Sequence, residues 1–160
     1  MDYWMMLFTD LTWREFQAAG GVTVGFRERS RTRTSGIRCG DVLLCYMVGA
    51  KRWVGMLEVA GEQFTDTTAI FSEEVFPVRF SVKPLVMLDA EHGVPMEDLC
   101  GKLSFFEKEE KFRRWPVYVR ASPSRYKSKD GDAIATAMRA AEENPVSRPV
   151  EPRRLKRRSL

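Results

Sequence analysis

The chain has 160 residues, 44% of them hydrophobic and 30% charged, with a net charge of +4; that length suits one domain, and that balance excludes wholesale disorder. No apolar run approaches the ~20 residues of a membrane-spanning helix, and the opening MDYWMMLF carries an acid where a secretory leader carries Lys or Arg. Three cysteines, Cys39, Cys45 and Cys100, are odd in number and fit no metal-ligand spacing, so a reduced, cytoplasmic chain without disulfide, metal or cofactor is expected.

In chain order, Tyr3 to Phe8 is a short apolar run that predicts a buried strand. Thr12 and Glu15 have the spacing of a capping box, Trp13 and Phe16 form one helical face, and Gly20-Gly21 ends that helix. Val22 to Phe26 predicts an extended segment feeding an Arg-rich loop. Asp41 to Val48 and Trp53 to Val59 predict two strands joined by Gly49-Ala50-Lys51-Arg52, with Gly55 marking a bulge or a close backbone approach. After Pro77 the alternation turns Val78, Phe80 and Val82 inward and Arg79, Ser81 and Lys83 outward. Pro95 to Leu99 predicts a brief helix and Trp115 to Arg120 a last strand. Asp132 is placed to cap a helix through Glu143, with Ile134 and Met138 on one face and Pro145 as its stop. These short strands and small helices predict an α+β domain over residues 1–144, built around a curved sheet or small barrel. Residues 145–160, rich in Pro and Arg, predict a basic, disordered tail.

The charge is uneven. Residues 27–38 hold five Arg against one Glu, and residues 145–160 hold five Arg and one Lys against Glu151. Removing these local surpluses of +4 and +5 from the net +4 leaves −5 for the remainder. Clustered Arg is the footprint of phosphate-backbone contact, although surface Arg also serves plain solubility.

Catalytic signatures are scarce. His92 is the sole histidine and sits in a turn-like Glu91-His92-Gly93, so neither a Ser-His-Asp triad nor a His-rich metal site assembles readily. The acidic pairs Glu73-Glu74 and Glu107 to Glu110 read as solvated faces, Asp41 as a turn residue, and no phosphate-cradling Gly-rich pattern opens a helix. Aromatic residues near basic ones (Tyr3, Trp4, Phe26, Tyr46, Trp53, Phe64, Phe71, Phe105, Phe106) fit either core packing or base stacking at ~1–3 kcal/mol per base.

Several stretches recur in order in one known group. They are Tyr3-Trp4-Met5-Met6, Val24-Gly25-Phe26-Arg27-Glu28-Arg29, Gly40-Asp41-Val42-Leu43-Leu44-Cys45-Tyr46 and Val54-Gly55-Met56-Leu57-Glu58-Val59, then Phe76-Pro77-Val78-Arg79, Lys83-Pro84, Lys102-Leu103-Ser104-Phe105 and the run to Arg120. Over roughly residues 3–120 the chain resembles the EVE-domain proteins of the PUA-like superfamily, relatives of the YTH and ASCH domains. The resemblance implies a PUA-like, strongly curved mixed sheet or pseudo-barrel of about six strands with short helices around it. It also implies a pocket for a flipped, modified base. YTH domains read N6-methyladenine in RNA, and EVE domains are associated with modified cytosine or related marks in DNA. The implied pocket residues are Thr9, Val24, Gly25, Phe26, Tyr46, Phe71, Lys102, Leu103, Ser104 and Phe105; at the position of Val24 family members usually carry Trp. Arg27, Arg29, Arg31 and Arg33 would contact the nucleic-acid backbone. The expected function is a non-catalytic, monomeric reader of nucleic acid carrying a modified base, with no membrane partner. Two alternatives are a small hydrolase on an ASCH-type scaffold, using Lys102 and Glu58, and a protein-interaction domain with a basic tail.

Overall fold

The computed structural model describes residues 1–108 and 114–156; the end of the acidic cluster at Glu109-Glu110 and the last four residues of the basic tail lie outside them. The elements follow as β1 (Tyr3–Phe8), α1 (Asp10–Ala18), β2 (Thr23–Phe26), a 3-10 turn (Glu28–Ser30) running into α2 (Arg31–Thr34), β3 (Val42–Met47) and β4 (Arg52–Val59). Then come β5 (Phe64–Thr65), β6 (Val78–Met87), β7 (Val94–Pro95) and 3-10 turns at Met96–Leu99 and Trp115–Val119. β8 (Ser124–Tyr126), α3 (Ser128–Glu143) and α4 (Pro152–Leu155) complete the chain. The strands form a strongly curled mixed sheet in the order β2-β6-β4-β3-β1-β8, with β5 on β6 and β7 on β4. β1 and β3 pair in parallel, and the remaining pairs are antiparallel.

The central strands are buried on both faces. In β1, Tyr3, Met5 and Leu7 enter one apolar cluster while Trp4, Met6 and Phe8 enter the other. In β3, Val42, Leu44 and Tyr46 separate in the same way from Leu43, Cys45 and Met47. A strand covered on both sides has no polar face, so it reads as a continuous apolar run. Ile134 and Met138 of α3 cover the first face, with Trp115 and Phe106; Trp13 and Phe16 of α1 cover the second, with Phe26, Phe80 and Val82.

Gly55 fulfils both expectations placed on it. The register slips between Cys45 and Tyr46, which pair with Gly55 and Trp53, so Val54 is the extra residue. A Cβ on Gly55 would stand 2.4 Å from the Trp13 ring, and Trp13 is pinned by its indole N–H donating to the Leu88 carbonyl at 2.8 Å.

Several local expectations are corrected. The capping box of α1 begins three residues earlier: the Thr12 N–H donates to the Thr9 hydroxyl, and the Thr9 N–H donates to the Thr12 hydroxyl. Thr12 thus takes the position that Glu or Gln usually fills, and Glu15 instead accepts from the Ser72 N–H. Trp115–Val119 is a 3-10 turn rather than a strand, started by Pro116, whose fixed φ and missing N–H suit a helical first turn. α3 starts at Ser128, four residues before Asp132, whose carboxylate accepts from the Tyr3 hydroxyl at 2.7 Å. Burial and that bond push the Tyr3 pKa up to about 12. Arg79, expected outward, is 1% exposed.

The stretch after Pro145, expected to be a flexible tail, has contacts with the domain as far as Leu155. Arg52 donates to the carbonyls of Ala90 and Arg148, the Arg148 N–H donates to the Glu91 carbonyl, and Arg148 pairs with Asp98 at 3.0 Å. Val150 and Leu155 pack against the second apolar cluster.

Gly55→Ala should therefore overpack the Trp13 contact and destabilise by about 2–3 kcal/mol, seen as a fall in Tm of roughly 5–10 °C in a calorimetric or fluorescence melt.

Candidate functional site

β2 pairs with β6 so that Val24 faces Phe80, Gly25 faces Arg79 and Phe26 faces Val78. Val24 and Phe26 enter the core, leaving Gly25 and Arg79 on the other side, beneath the segment 66–77. That segment lies so close that a Cβ on Gly25 would stand 2.7 Å from the Phe76 carbonyl oxygen and 3.3 Å from the Phe71 ring. Phe76 adopts a left-handed backbone with φ of 49°, which disfavours bulky residues. Arg79 holds it there. Its Nε donates to the Phe76 carbonyl at 3.2 Å, one terminal nitrogen donates to the carbonyls of Thr68 and Val75 at 2.6 and 3.0 Å, and the other lies 3.5 Å from Asp66.

The Arg-rich segment is fixed toward its C-terminal end, and its residues 28–34 are helical rather than a loop. Thr34 is fully buried and donates from its hydroxyl to Gln63 at 2.6 Å. Asp41 accepts from the N–H groups of Asp2 and Arg38 and from the Trp4 indole.

Together these segments enclose a cavity of about 310 Å³. Its wall is made by Leu7, Gly25, Phe26, Phe76 and the Ala121-Ser122 backbone; its rim carries Arg27, Arg29, Arg33 and Arg120. Ser122 joins the parts: its hydroxyl accepts from the Leu7 N–H at 3.1 Å, and its carbonyl accepts from the Ser30 hydroxyl at 3.2 Å. A shallower depression shares Arg27, Arg29 and Phe76 and adds Glu74 and Val75. Phe26 and Phe76 are 3% and 7% exposed, so they give the cavity an apolar floor rather than an open aromatic cage.

The arginines are not equivalent. Arg27 forks onto Glu74 at 3.0 and 2.7 Å and lies over the Phe76 ring at 5.8 Å. Its hydrogen bond holds the Glu74 carboxyl below the usual range and raises Arg27. A depressed carboxylate contributes above its ordinary pKa and loses that contribution as pH falls through the lowered value, so the clamp is intact at neutral pH. Arg31 pairs with Glu28 at 2.6 Å and does not line the cavity. Arg29, Arg33 and Arg120 have no carboxylate at ion-pair distance among the described residues.

Of the residues expected at a base pocket or backbone contact, Gly25, Phe26, Arg27, Arg29 and Arg33 converge here. Phe71 stands behind, edge-on to Phe76 at 5.3 Å. Val24 is fully buried, and Thr9 caps α1. Tyr46, Leu103 and Phe105 belong to or pack against the other apolar cluster, on the α3 side. Ser104 donates from its N–H and hydroxyl to the buried Asp130. Lys102 lines a different cavity with His92, Asp98 and Arg148, and Glu58 pairs in register with Val42 and Lys83, so these two share no cavity described here. Leu7, Phe76, Arg120 and Ser122 were not singled out from the sequence as site residues. For Arg120 the available signal was its place at the end of a basic and aromatic run; for Phe76, its place before Pro77.

Among the described residues no group of three or more His, Cys, Asp or Glu could hold a metal ion, and no helix is long and apolar enough to cross a membrane.

No family model matches the sequence. UPF0310 protein PYRAB08750 of Pyrococcus abyssi is 25% identical over 124 residues, covering 70% of this chain and 83% of that protein. The structure of the Pho92 YTH domain in complex with m6A is similar with a TM-score of 0.66 at 12% identity, covering 91% of this chain and 88% of that one. The fold is YTH-like. The NMR structure of Rpa0253 from Rhodopseudomonas palustris shares this YTH-like fold, with a TM-score of 0.58 at 17% identity and coverage of 88% and 94%.

Because Arg79 ties down the segment that walls the cavity, Arg79→Met should strand three carbonyls and destabilise by about 2–4 kcal/mol. Limited proteolysis should then cut within residues 66–76 before the rest of the domain.

Proposed function

We propose that the chain is a non-catalytic nucleic-acid-binding domain that draws one base, in particular a modified one, out of its stack into the Gly25–Phe76 cavity while the rim arginines hold the flanking phosphates. The observation that carries this is the rim itself: three exposed arginines with no carboxylate at ion-pair distance among the described residues stand around a concave, apolar-floored cavity. Guanidinium groups converging on one cleft suit an anionic ligand, and their planar donors match phosphate oxygens. A volume of about 310 Å³ lies at the small end of the ~300–1,000 Å³ range of ligand sites. The YTH-like fold supports the reading, since neighbours with this fold were solved with m6A and with RNA.

Extruding a base costs a few kcal/mol, regained by stacking and by hydrogen bonds to its Watson–Crick edge. A methyl group buried against Phe26 and Leu7 adds about 0.8 kcal/mol, so discrimination rests on close fit. Oligonucleotides with and without modified cytosine or N6-methyladenine should separate by a few-fold to tenfold in affinity; equal affinity for all would remove the modified-base part of the reading.

The rim is tested by salt. Alanine at Arg29, Arg33 or Arg120 should each reduce the slope of log K against log salt by about 0.7–0.9. Arg31→Ala, which breaks a pair with Glu28 outside the cavity, should leave the slope nearly unchanged. If no rim variant alters the slope, the cavity is not the nucleic-acid site.

A further inference from the structure

The turn at Trp115–Val119 presents an aromatic surface that the cavity does not use. Trp115 and Val119 are buried and anchor the turn, while Val117 and Tyr118 are 59% and 46% exposed. The Tyr118 ring lies parallel to Phe105, with centroids 4.4 Å apart and planes 10° apart. Phe105 is backed in turn by the edge of Tyr126 at 5.3 Å. The Tyr126 hydroxyl donates to the Tyr118 carbonyl at 2.6 Å, and burial pushes the Tyr126 pKa up, so this donor keeps its proton. One face of Tyr118 is therefore fixed against the protein, with much of the residue open to solvent.

Two arginines flank it. Arg114 precedes the turn and Arg120 follows it, both exposed. Arg114 lies four residues before Tyr118 in the chain and Arg120 two residues after it. Arg120 also stands on the rim of the cavity. Two residues span at most ~7 Å of chain, and stacked nucleotides rise ~3.4 Å each along a strand. Along the backbone, Tyr118 is therefore about two nucleotide rises from a residue that lines the cavity.

We infer that Tyr118, backed by Phe105, is a second stacking position, taking an unpaired base one or two nucleotides from the one drawn into the cavity. The inference rests on the proposed function and adds to it: the ligand is a single strand, or a locally opened one, that continues from the cavity over Arg120. A rigid exposed ring flanked by cations is the arrangement single-strand binders use, because every base has a face to stack while Arg holds the phosphate. A stable protein partner needs about 800 Å² on each side, with few charges at its centre; two exposed apolar residues between arginines suit a base better.

The test is anisotropy binding of a short single-stranded oligonucleotide to wild type, Tyr118→Ala and Tyr118→Phe, with Arg29→Ala as the cavity control. Tyr118→Ala should weaken binding about 5- to 150-fold, while Tyr118→Phe, which keeps the ring, stays close to wild type. An abasic nucleotide placed one or two steps from the extruded base should abolish the difference between Tyr118 and Ala. A fluorescent adenine analogue at that step should be quenched by wild type and less so by Tyr118→Ala. Far-ultraviolet circular dichroism separates unfolding from lost stacking, and the abasic scan on wild type reads the same step without any substitution. If Tyr118→Ala folds and binds as wild type while Arg29→Ala loses affinity, the stacking position is wrong and the cavity reading survives. If wild type binds no oligonucleotide, both fall. Self-association that depends on Tyr118, with oligonucleotide binding unchanged, would reassign the ring to a protein contact.

Discussion

The Arg79 guanidinium, closed off beneath a segment with almost no regular structure of its own, is the interaction on which the site depends. Burying a charge in a protein interior is unfavourable unless its donors are satisfied, and here carbonyls from Thr68, Val75 and Phe76 supply the acceptors with Asp66 at the edge. A planar, weakly hydrated group with five donors can serve several carbonyls at once, which a Lys ammonium on a flexible stem cannot do as rigidly. The exchange works in both directions. The segment 66–77 receives hydrogen bonds it cannot find within itself, and β6 gains a cap over its second residue. Gly25 is the complementary half of the same contact, since the carbonyl that Arg79 binds lies where any larger residue in β2 would stand.

Much of the scaffold was legible because it rests on local or short-range pattern. β1 through β4, the β6 alternation and the apolar pair of α3 follow from runs and spacings that each obey one period. What misled was a polar residue with a remote partner. Arg79 obeys the alternation as an outward residue, and only the segment folded over it makes that side an interior. Asp132 has the chemistry of a helix cap, yet its partner is Tyr3, 129 positions away. Trp115 to Arg120 has strand composition, but an exposed Val117 between a buried Trp115 and a buried Val119 breaks the strand's period of two.

The site was legible in part for the same reason. Gly25 to Arg33 is one continuous stretch, so its residues reach the cavity together. The opposite wall comes from Phe76 and Arg120–Ser122, about fifty and ninety-five positions further on, and nothing in local pattern announces that they meet. The aromatic residues expected to surround a base divide differently: Tyr46 and Phe105 lie with the α3 cluster, while Phe26 and Phe71 lie with the other. A strand buried on both faces sends alternate side chains into separate cores, so ring content alone cannot say which rings share a chamber.

The rim is divided in a way that bears on selectivity. Arg27 is engaged by Glu74 and stacked over Phe76, so it acts as wall, contributing shape and holding residues 66–77 from the front while Arg79 holds them from behind. Glu74 spends its charge on Arg27, which leaves Arg29, Arg33 and Arg120 as the rim positions with no carboxylate at ion-pair distance among the described residues. Under the proposed function, guanidinium groups gathered at one cleft draw a polyanion without any contact to its bases, since potentials of a few kT over a cleft are enough to bias approach. On that reading, a strand held by its phosphates at the rim turns one base into the cavity. Affinity in such an arrangement comes from the free arginines and falls with salt. Discrimination comes from the Gly25–Phe76 wall, whose geometry depends on groups that salt cannot reach.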